Sequence, residues 1–224
     1  MMATIVLIHG LGGDRHVWDG VVGKLGKHRV ITIELPPPAS LDDMAKKIAT
    51  ELRAQKATPA IIVGHSLGGI VAAHVPLVDR AAVRALVVVD MILGQSWTTA
   101  EIDEMRGKLA GDREAALRAW FGRICQPAQL ERLLVGLRKL SNETIVGYMT
   151  AMRDGWIRDG GRAIGVPTLL MASKLIEPAK AGFDHVAELR VEKFDQSMHW
   201  IMWDEPDKFV ATLMRFVDGL PGAK

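Results

Sequence analysis

One stretch, IIVGHSLGG (61–69), restricts this chain more than any other. An apolar run over 60–63 reads as a buried strand, GHSLG (64–68) fits the pattern G-x-S-x-G, and IVAA (70–73) reads as a helix running on from Gly69. A serine at the tip of such a strand-to-helix turn sits on strained backbone, and side chains two residues to either side would collide with neighbouring elements. Glycine at 64 and 68 removes the collisions. Ser66 Oγ is then lifted above the sheet edge, and the Leu67 N–H lies at a helix N-terminus, where negative charge is stabilised. Gly and Ser are common in turns, so the pattern alone is loose; the strand before it and the small-residue helix after it make it a nucleophile elbow.

The flanking sequence supplies a sheet for this elbow. Residues 3–8 (ATIVLI) read as a strand that leaves through a glycine loop, HGLGG (9–13), at the same sheet edge as Ser66. Trp18, Val21, Val22 and Leu25 have helical spacing, and a strand over 29–35 is closed by Pro36, Pro37 and Pro38. Ser40 with Asp43 three residues on starts a helix striped by Leu41, Met44, Ala45, Ile48 and Leu52. After the elbow helix, a strand over 84–89 ends at Asp90. Alternating apolar strands and helices predict an α/β fold, a mostly parallel sheet with helices on both faces and ligands at the carboxyl ends of the strands.

From 94 to 161 the pattern becomes helices only. Thr98 and Glu101 cap one, Leu130, Leu133, Leu134, Leu137 and Leu140 stripe another, and Ile145, Met149, Met152 and Trp156 a third. That is too much helix for an ordinary crossover, so 94–161 is expected to be a helical cap inserted into a core made of 1–93 and 162–224. The sheet resumes over 166–171 and 186–194. A last helix from Pro206 carries Phe209, Val210, Leu213, Phe216 and Val217 and stops at Gly219, Leu220 and Pro221.

Composition removes several classes of function. With 28 Lys and Arg against 26 Asp and Glu, interleaved along the chain, the net charge of +2 gives no footprint for nucleic acid, and a small-molecule substrate is expected. The single cysteine, Cys125, excludes an intramolecular disulfide, fits a reducing compartment and reads as a small core or surface residue. No run approaches the ~20 apolar residues of a membrane span, and residues 1–9 do not read as a signal peptide, so a cytoplasmic location is the expectation.

A serine hydroxyl is a poor nucleophile at neutral pH and needs a base that is itself oriented by a third group. Of the seven histidines, His199 lies in the loop QSMHW (196–200) between the last strand and the last helix, at the sheet edge that carries Ser66. His65 in the elbow and His9 in the glycine loop are expected to orient backbone. His16, His28, His74 and His185 are read as solvated or structurally satisfied. Two acids follow the serine and precede His199 in suitable places: Asp90, at the end of an apolar strand, and Glu177, in the loop after 166–171. Asp90 is preferred, because a carboxylate there is costly unless paired. Asp195 and Asp204 read as a loop residue and a helix-start residue. The N–H groups of Leu11 and Leu67 are candidate oxyanion donors, and Trp18 either lines the pocket or simply packs.

The ordered set HGLGG (9–13), GHSLGG (64–69), VVVD (87–90) and SMHWIMWDEP (197–206) resembles the α/β-hydrolase superfamily over essentially the whole chain. The resemblance implies Ser66 as nucleophile, His199 as base, Leu11 and Leu67 as oxyanion donors, and no cofactor or metal. The family's usual acid, in the loop after the strand at 166–171, has no clear counterpart in ASKLIE (172–177); some members carry an acid at the Asp90 position instead, which leaves Glu177 as the reserve. The family's leading hairpin is absent, so a sheet of about six strands is expected. The activity so implied is a serine hydrolase acting on a small to medium, mainly apolar ester, thioester or lactone, with a Met- and Trp-bearing cap over the pocket. Two other classes remain open on this fold: cofactor-independent oxygenase or lyase chemistry using the His and Asp without an acyl-enzyme, and non-catalytic ligand binding.

Overall fold

The computed structural model describes residues 2–94, 96–155 and 163–222. Six parallel strands form one sheet in the order β2-β1-β3-β4-β5-β6, matching the reduced sheet expected of this fold. They are β1 (Thr4–Ile8), β2 (Arg29–Ile33), β3 (Ala60–His65), β4 (Val83–Val89), β5 (Thr168–Ser173) and β6 (Leu189–Phe194). β3 and β5 are buried along their whole length, as strands covered on both faces must be, while β2 and β6 at the edges carry exposed residues.

The chain enters one strand in from an edge of the sheet, moves out to β2 at that edge, then returns across β1 to lay down β3. Strand order therefore reverses between β1 and β3, the position at which open parallel sheets place their ligands. The loops leaving the carboxyl ends of these two strands are the glycine loop and the elbow.

Helices close both faces. A short 3-10 turn (Arg15–Trp18) runs into α1 (Asp19–Val22), where Trp18 is fully buried against Phe209 with ring centroids 6.0 Å apart, so it packs rather than lines a pocket. In α2 (Leu41–Ala54) the Ser40 hydroxyl accepts from the Asp43 N–H at 3.1 Å, and the expected stripe is buried. The elbow helix α3 (Leu67–Val78) starts two residues earlier than the apolar pattern alone placed it, directly after Ser66. It is buried on every side, which is why its sequence shows no polar face. α9 (Pro206–Asp218) uses Pro206 in its first turn and buries Phe209, Leu213, Phe216 and Val217.

Four helices occupy the connection from β4 to β5: α4 (Thr99–Gly111), α5 (Arg113–Phe121), α6 (Pro127–Leu137) and α7 (Asn142–Asp154). α4 opens with a reciprocal capping box, the Thr98 N–H donating to Glu101 at 2.8 Å and the Glu101 N–H to Thr98 Oγ1 at 3.2 Å. Leu140 falls beyond the end of α6, and Trp156 lies outside the described residues. These helices lean on the loops at the carboxyl edge. A methyl group on Gly136 of α6 would overlap the Gly12 carbonyl of the glycine loop, the Tyr148 hydroxyl of α7 donates to the Pro36 carbonyl at 2.9 Å, and the Ile124 carbonyl after α5 accepts from the His199 N–H at 2.9 Å.

β5 begins at Thr168, two residues later than the apolar pattern placed it, and Val186 meets Ile164 in an isolated bridge ahead of β6. The turn between β3 and α3 has no slack: a Cβ on Gly68 would lie 2.6 Å from the Ile8 carbonyl oxygen, and one on Gly64 would lie 2.6 Å from the Gly68 carbonyl carbon. Gly68→Ala is expected to cost about 3 kcal/mol or more of stability because only backbone could move aside, and chemical denaturation read by circular dichroism checks it.

Candidate active site

Ser66 is the only residue from 60 to 76 that is not buried. It has φ +54° and ψ −127°, a conformation costly for a side-chain-bearing residue, and its backbone is pinned on both sides. The Ser66 N–H donates to the Val89 carbonyl at 3.0 Å, and its own carbonyl accepts from the Gly69 N–H at 2.7 Å and the Ile70 N–H at 3.3 Å. The first turn of α3 thus closes on Ser66, and the Leu67 N–H, as a first-turn donor, has no acceptor within the helix.

Asp90 occupies the matching place one strand over. It too has positive φ, +50°, and its N–H continues the sheet ladder to the Met171 carbonyl at 2.8 Å. Its side chain is fully buried, yet both oxygens are used: Oδ1 accepts from the Ser173 N–H at 2.6 Å, and Oδ2 lies 2.7 Å from His199 Nδ1. A carboxylate oxygen accepts at this contact, so Nδ1 carries the hydrogen, and in the neutral form of the ring the lone pair is on Nε2. Glu177 is elsewhere: it precedes a 3-10 turn (Pro178–Lys180) at the surface and pairs with Lys180 at 2.8 Å.

His199 reaches Asp90 because its loop is tied down at successive residues. The Ser197 hydroxyl donates to Glu205 at 2.6 Å, the Met198 N–H to Asp204 at 2.7 Å, and the His199 N–H to Ile124. Asp204 does not start a helix. It ends the short α8 (Ile201–Asp204), and its second oxygen accepts from Gln129 of α6 at 2.7 Å, so the carboxylate links this loop to the crossover helices. The loop's role for Asp204 lay outside the local pattern, since its partners are 6 and 75 residues away in sequence.

The other histidines sort by surroundings. His9 Nδ1 lies 2.8 Å from the Gly10 carbonyl, and Nε2 is 2.7 Å from Glu34, which also accepts from the Arg15 N–H at 3.1 Å, so this pair braces both ends of the glycine loop. His65 is buried; its Nε2 lies 2.9 Å from the His199 carbonyl, and its ring is 4.7 Å from that of His199. His16 contacts Asp19, His28 accepts from the Ala3 N–H, and His74 meets Asp42. Cys125 is buried beside the Ile124 link, and its thiol is pushed up by burial and by Asp204.

Three grooves of about 530, 520 and 200 Å³ open along the crossover helices, and Ser66 and His199 line none of the three. The first has half-buried Trp97 and Trp120, with Met105, on its wall; the two indoles meet edge-on at 5.3 Å. From there an aromatic run continues through Phe121 to Trp200, which stands edge-on to His199 at 4.9 Å. Among the described residues, no group of three or more His, Cys, Asp or Glu is gathered to hold a metal ion, and no helix is long and apolar enough to cross a membrane.

A family model described as the alpha/beta hydrolase family matches residues 5–212. The chain belongs to the alpha/beta hydrolase family. A pimeloyl-[acyl-carrier protein] methyl ester esterase from Vibrio cholerae is 30% identical over 241 residues, covering 95% of this chain and 93% of that protein. Among solved structures, an esterase from Exiguobacterium antarcticum superposes with a TM-score of 0.83 at 22% identity, covering 97% of this chain and 92% of the other. A hydrolase from Oleispira antarctica gives 0.84 at 15% identity, covering 98% and 92%. These two share the fold with this chain, and the family together with the full-length relative places it among hydrolases.

Burial, with the nearby His199 imidazole adding to it, holds His65 well below the usual histidine range. An unfolded chain would take up a proton there that the folded protein refuses, so His65 lowers stability as pH falls below about 6.5, the unfolded value. Melting temperatures from pH 8 to pH 5 are expected to fall less steeply for His65→Gln than for the natural protein.

Proposed function

We propose that this protein is a serine hydrolase that cleaves a small to medium, mainly apolar carboxylic ester, thioester or lactone through an acyl-enzyme. The observation that carries the reading is the buried contact of Asp90 with His199 Nδ1, at the carboxyl edge of the strand next to the one that ends at Ser66. It leaves a basic nitrogen on a ring whose loop has no other evident reason to be so firmly held.

In this reading His199 Nε2 takes the proton of Ser66 Oγ as the oxygen attacks the substrate carbonyl. The N–H groups of Leu11 and Leu67 receive the oxyanion, Leu67 with the help of the α3 dipole. As the tetrahedral adduct collapses, the imidazolium gives its proton to the departing alcohol or thiol, leaving an ester on Ser66. Water then attacks with His199 again as base, and the carboxylic acid leaves. Asp90 holds the ring orientation and favours the imidazolium without taking the proton.

The four crossover helices act here as a cap, and residues 94–161 as its extent. Their contacts with the glycine loop, with Pro36 and with His199 support this, and Trp97, Met105 and Trp120 supply adaptable apolar surface. The full-length relative is named for a methyl ester on a carrier-bound acyl chain, which favours a carboxylic ester as the scissile bond.

A fluorophosphonate probe is expected to label Ser66 in the natural protein and not in His199→Ala; folded protein that takes no label would remove the acyl-enzyme reading in favour of oxygenase or lyase chemistry or ligand binding. For the acid, Asp90→Asn is expected to lower kcat on a short-chain aryl ester about 10³- to 10⁴-fold. Glu177→Gln should stay within about 2-fold, as a surface change does; the opposite pattern would transfer the role to Glu177.

A further inference from the structure

His65 takes no part in these proton transfers, yet it is held as a space-filling residue need not be. It ends β3, is 1% exposed, and directly precedes the nucleophile in the chain. Its Nε2 lies 2.9 Å from the His199 carbonyl oxygen. A carbonyl can only accept, so Nε2 carries the hydrogen and Nδ1 is bare. That bare nitrogen is buried without a hydrogen-bond partner among the described residues, which costs stability. Phenylalanine or leucine would fill the space at no such cost, so the N–H on the other side of the ring is the feature that warrants a histidine.

What that N–H holds is the residue read above as the base. The peptide groups of His199 are captured from two directions: its N–H donates to Ile124 of the crossover segment, and its carbonyl accepts from His65 of the elbow strand. Only the second bond joins the base to the strand that presents Ser66. There is little give on the far side of the elbow, since a Cβ on Gly10 would lie 3.1 Å from His65 Nδ1 and 2.8 Å from Ser66 Cβ. A ring wedged between the glycine loop and the His199 backbone passes its own position on to that backbone.

We infer that His65 is a positioning residue, whose Nε2–H fixes the His199 carbonyl and so sets how the base faces Ser66. This rests on His199 being the base. Burial keeps the His65 ring neutral across the neutral range, so it presents one tautomer and one donor throughout.

Two substitutions separate this role from simple packing: His65→Phe keeps a ring and loses the donor, whereas His65→Gln places an amide N–H near the position of Nε2. With folding checked by circular dichroism, His65→Phe is expected to lower kcat and the rate of fluorophosphonate labelling about 10- to 100-fold, the scale of a small misplacement of a catalytic group, with KM little changed. His65→Gln should recover most of that loss. The His199 Nδ1–H resonance, followed by NMR with labelled histidine, should shift or broaden in His65→Phe and return toward its natural position in His65→Gln. Because this resonance does not depend on turnover, it tests the positioning role even if the natural protein takes no label, a result that would remove the hydrolase reading alone. Should His65→Phe fail to fold, His65→Asn, whose amide is too short to reach, replaces it in the comparison. The inference is overturned by a donor-free variant with a natural labelling rate and an unmoved His199 resonance, or by His65→Gln no better than the donor-free variant.

Discussion

The structure depends on one backbone-to-backbone approach, where β3 turns into α3. Gly64 sits against the main chain of Gly68 and Gly69, and Gly68 against the carbonyls of Ile8 and His9, with no room for a Cβ at either place. That approach forces Ser66 to positive φ, at a cost of roughly 1–3 kcal/mol for such a conformation. The cost is borne because β3 and most of α3 are buried, so the elements on either side of the turn are the least able to relax. A strained serine between two rigid elements is a fixed reference point, and the other groups of the site are arranged about it.

The sheet register carries that reference to the neighbouring strand. His65 pairs with Val89, so Ser66 and Asp90 leave β3 and β4 at the same level, each one residue beyond the ladder and each at positive φ. Asp90 is a buried acid, and such a group is tolerated only where its oxygens are used. The Ser173 N–H satisfies one oxygen from β5, and His199 satisfies the other from the loop after β6. Two adjacent strand ends and one loop therefore converge on a single carboxylate. Exposed ion pairs elsewhere, such as the cluster of Glu114, Arg118, Glu131 and Arg138, lie at the surface of the crossover helices, where screening leaves such pairs little weight.

The crossover helices and the loop bearing His199 are one mechanical unit. Ile124 holds the His199 N–H, and Gln129 reaches Asp204, which holds the Met198 N–H. The loop that carries the imidazole is thereby tied both to α6 and to the segment that follows α5. The opposite hold, from His65 to the His199 carbonyl, belongs to the rigid elbow. The ring is placed between a buried strand and a more exposed helical layer.

Local pattern was enough for much of this architecture. The alternation of apolar strands and amphipathic helices, the glycines at 64 and 68, the caps at Ser40 and Thr98 and the proline at 206 each act within a few residues, so periodicity and turn chemistry exposed them directly. Boundaries slipped where neighbouring residues were equally apolar, as at the start of α3 and of β5, because hydrogen bonding and not hydropathy ends an element. The partners of the site were decided only in three dimensions. Asp90 and Glu177 both fitted the chain order, and the fold brings Asp90, 109 residues from His199, to the imidazole while Glu177 turns outward to Lys180. Asp204 looked like the start of a helix and instead ties down the loop, and His65, expected to orient backbone, gave no sign that the backbone would be a carbonyl 134 residues away. A sequence records which groups are available and how each segment curls; which distant groups meet follows from strand order and register, and those are settled by packing the whole sheet at once.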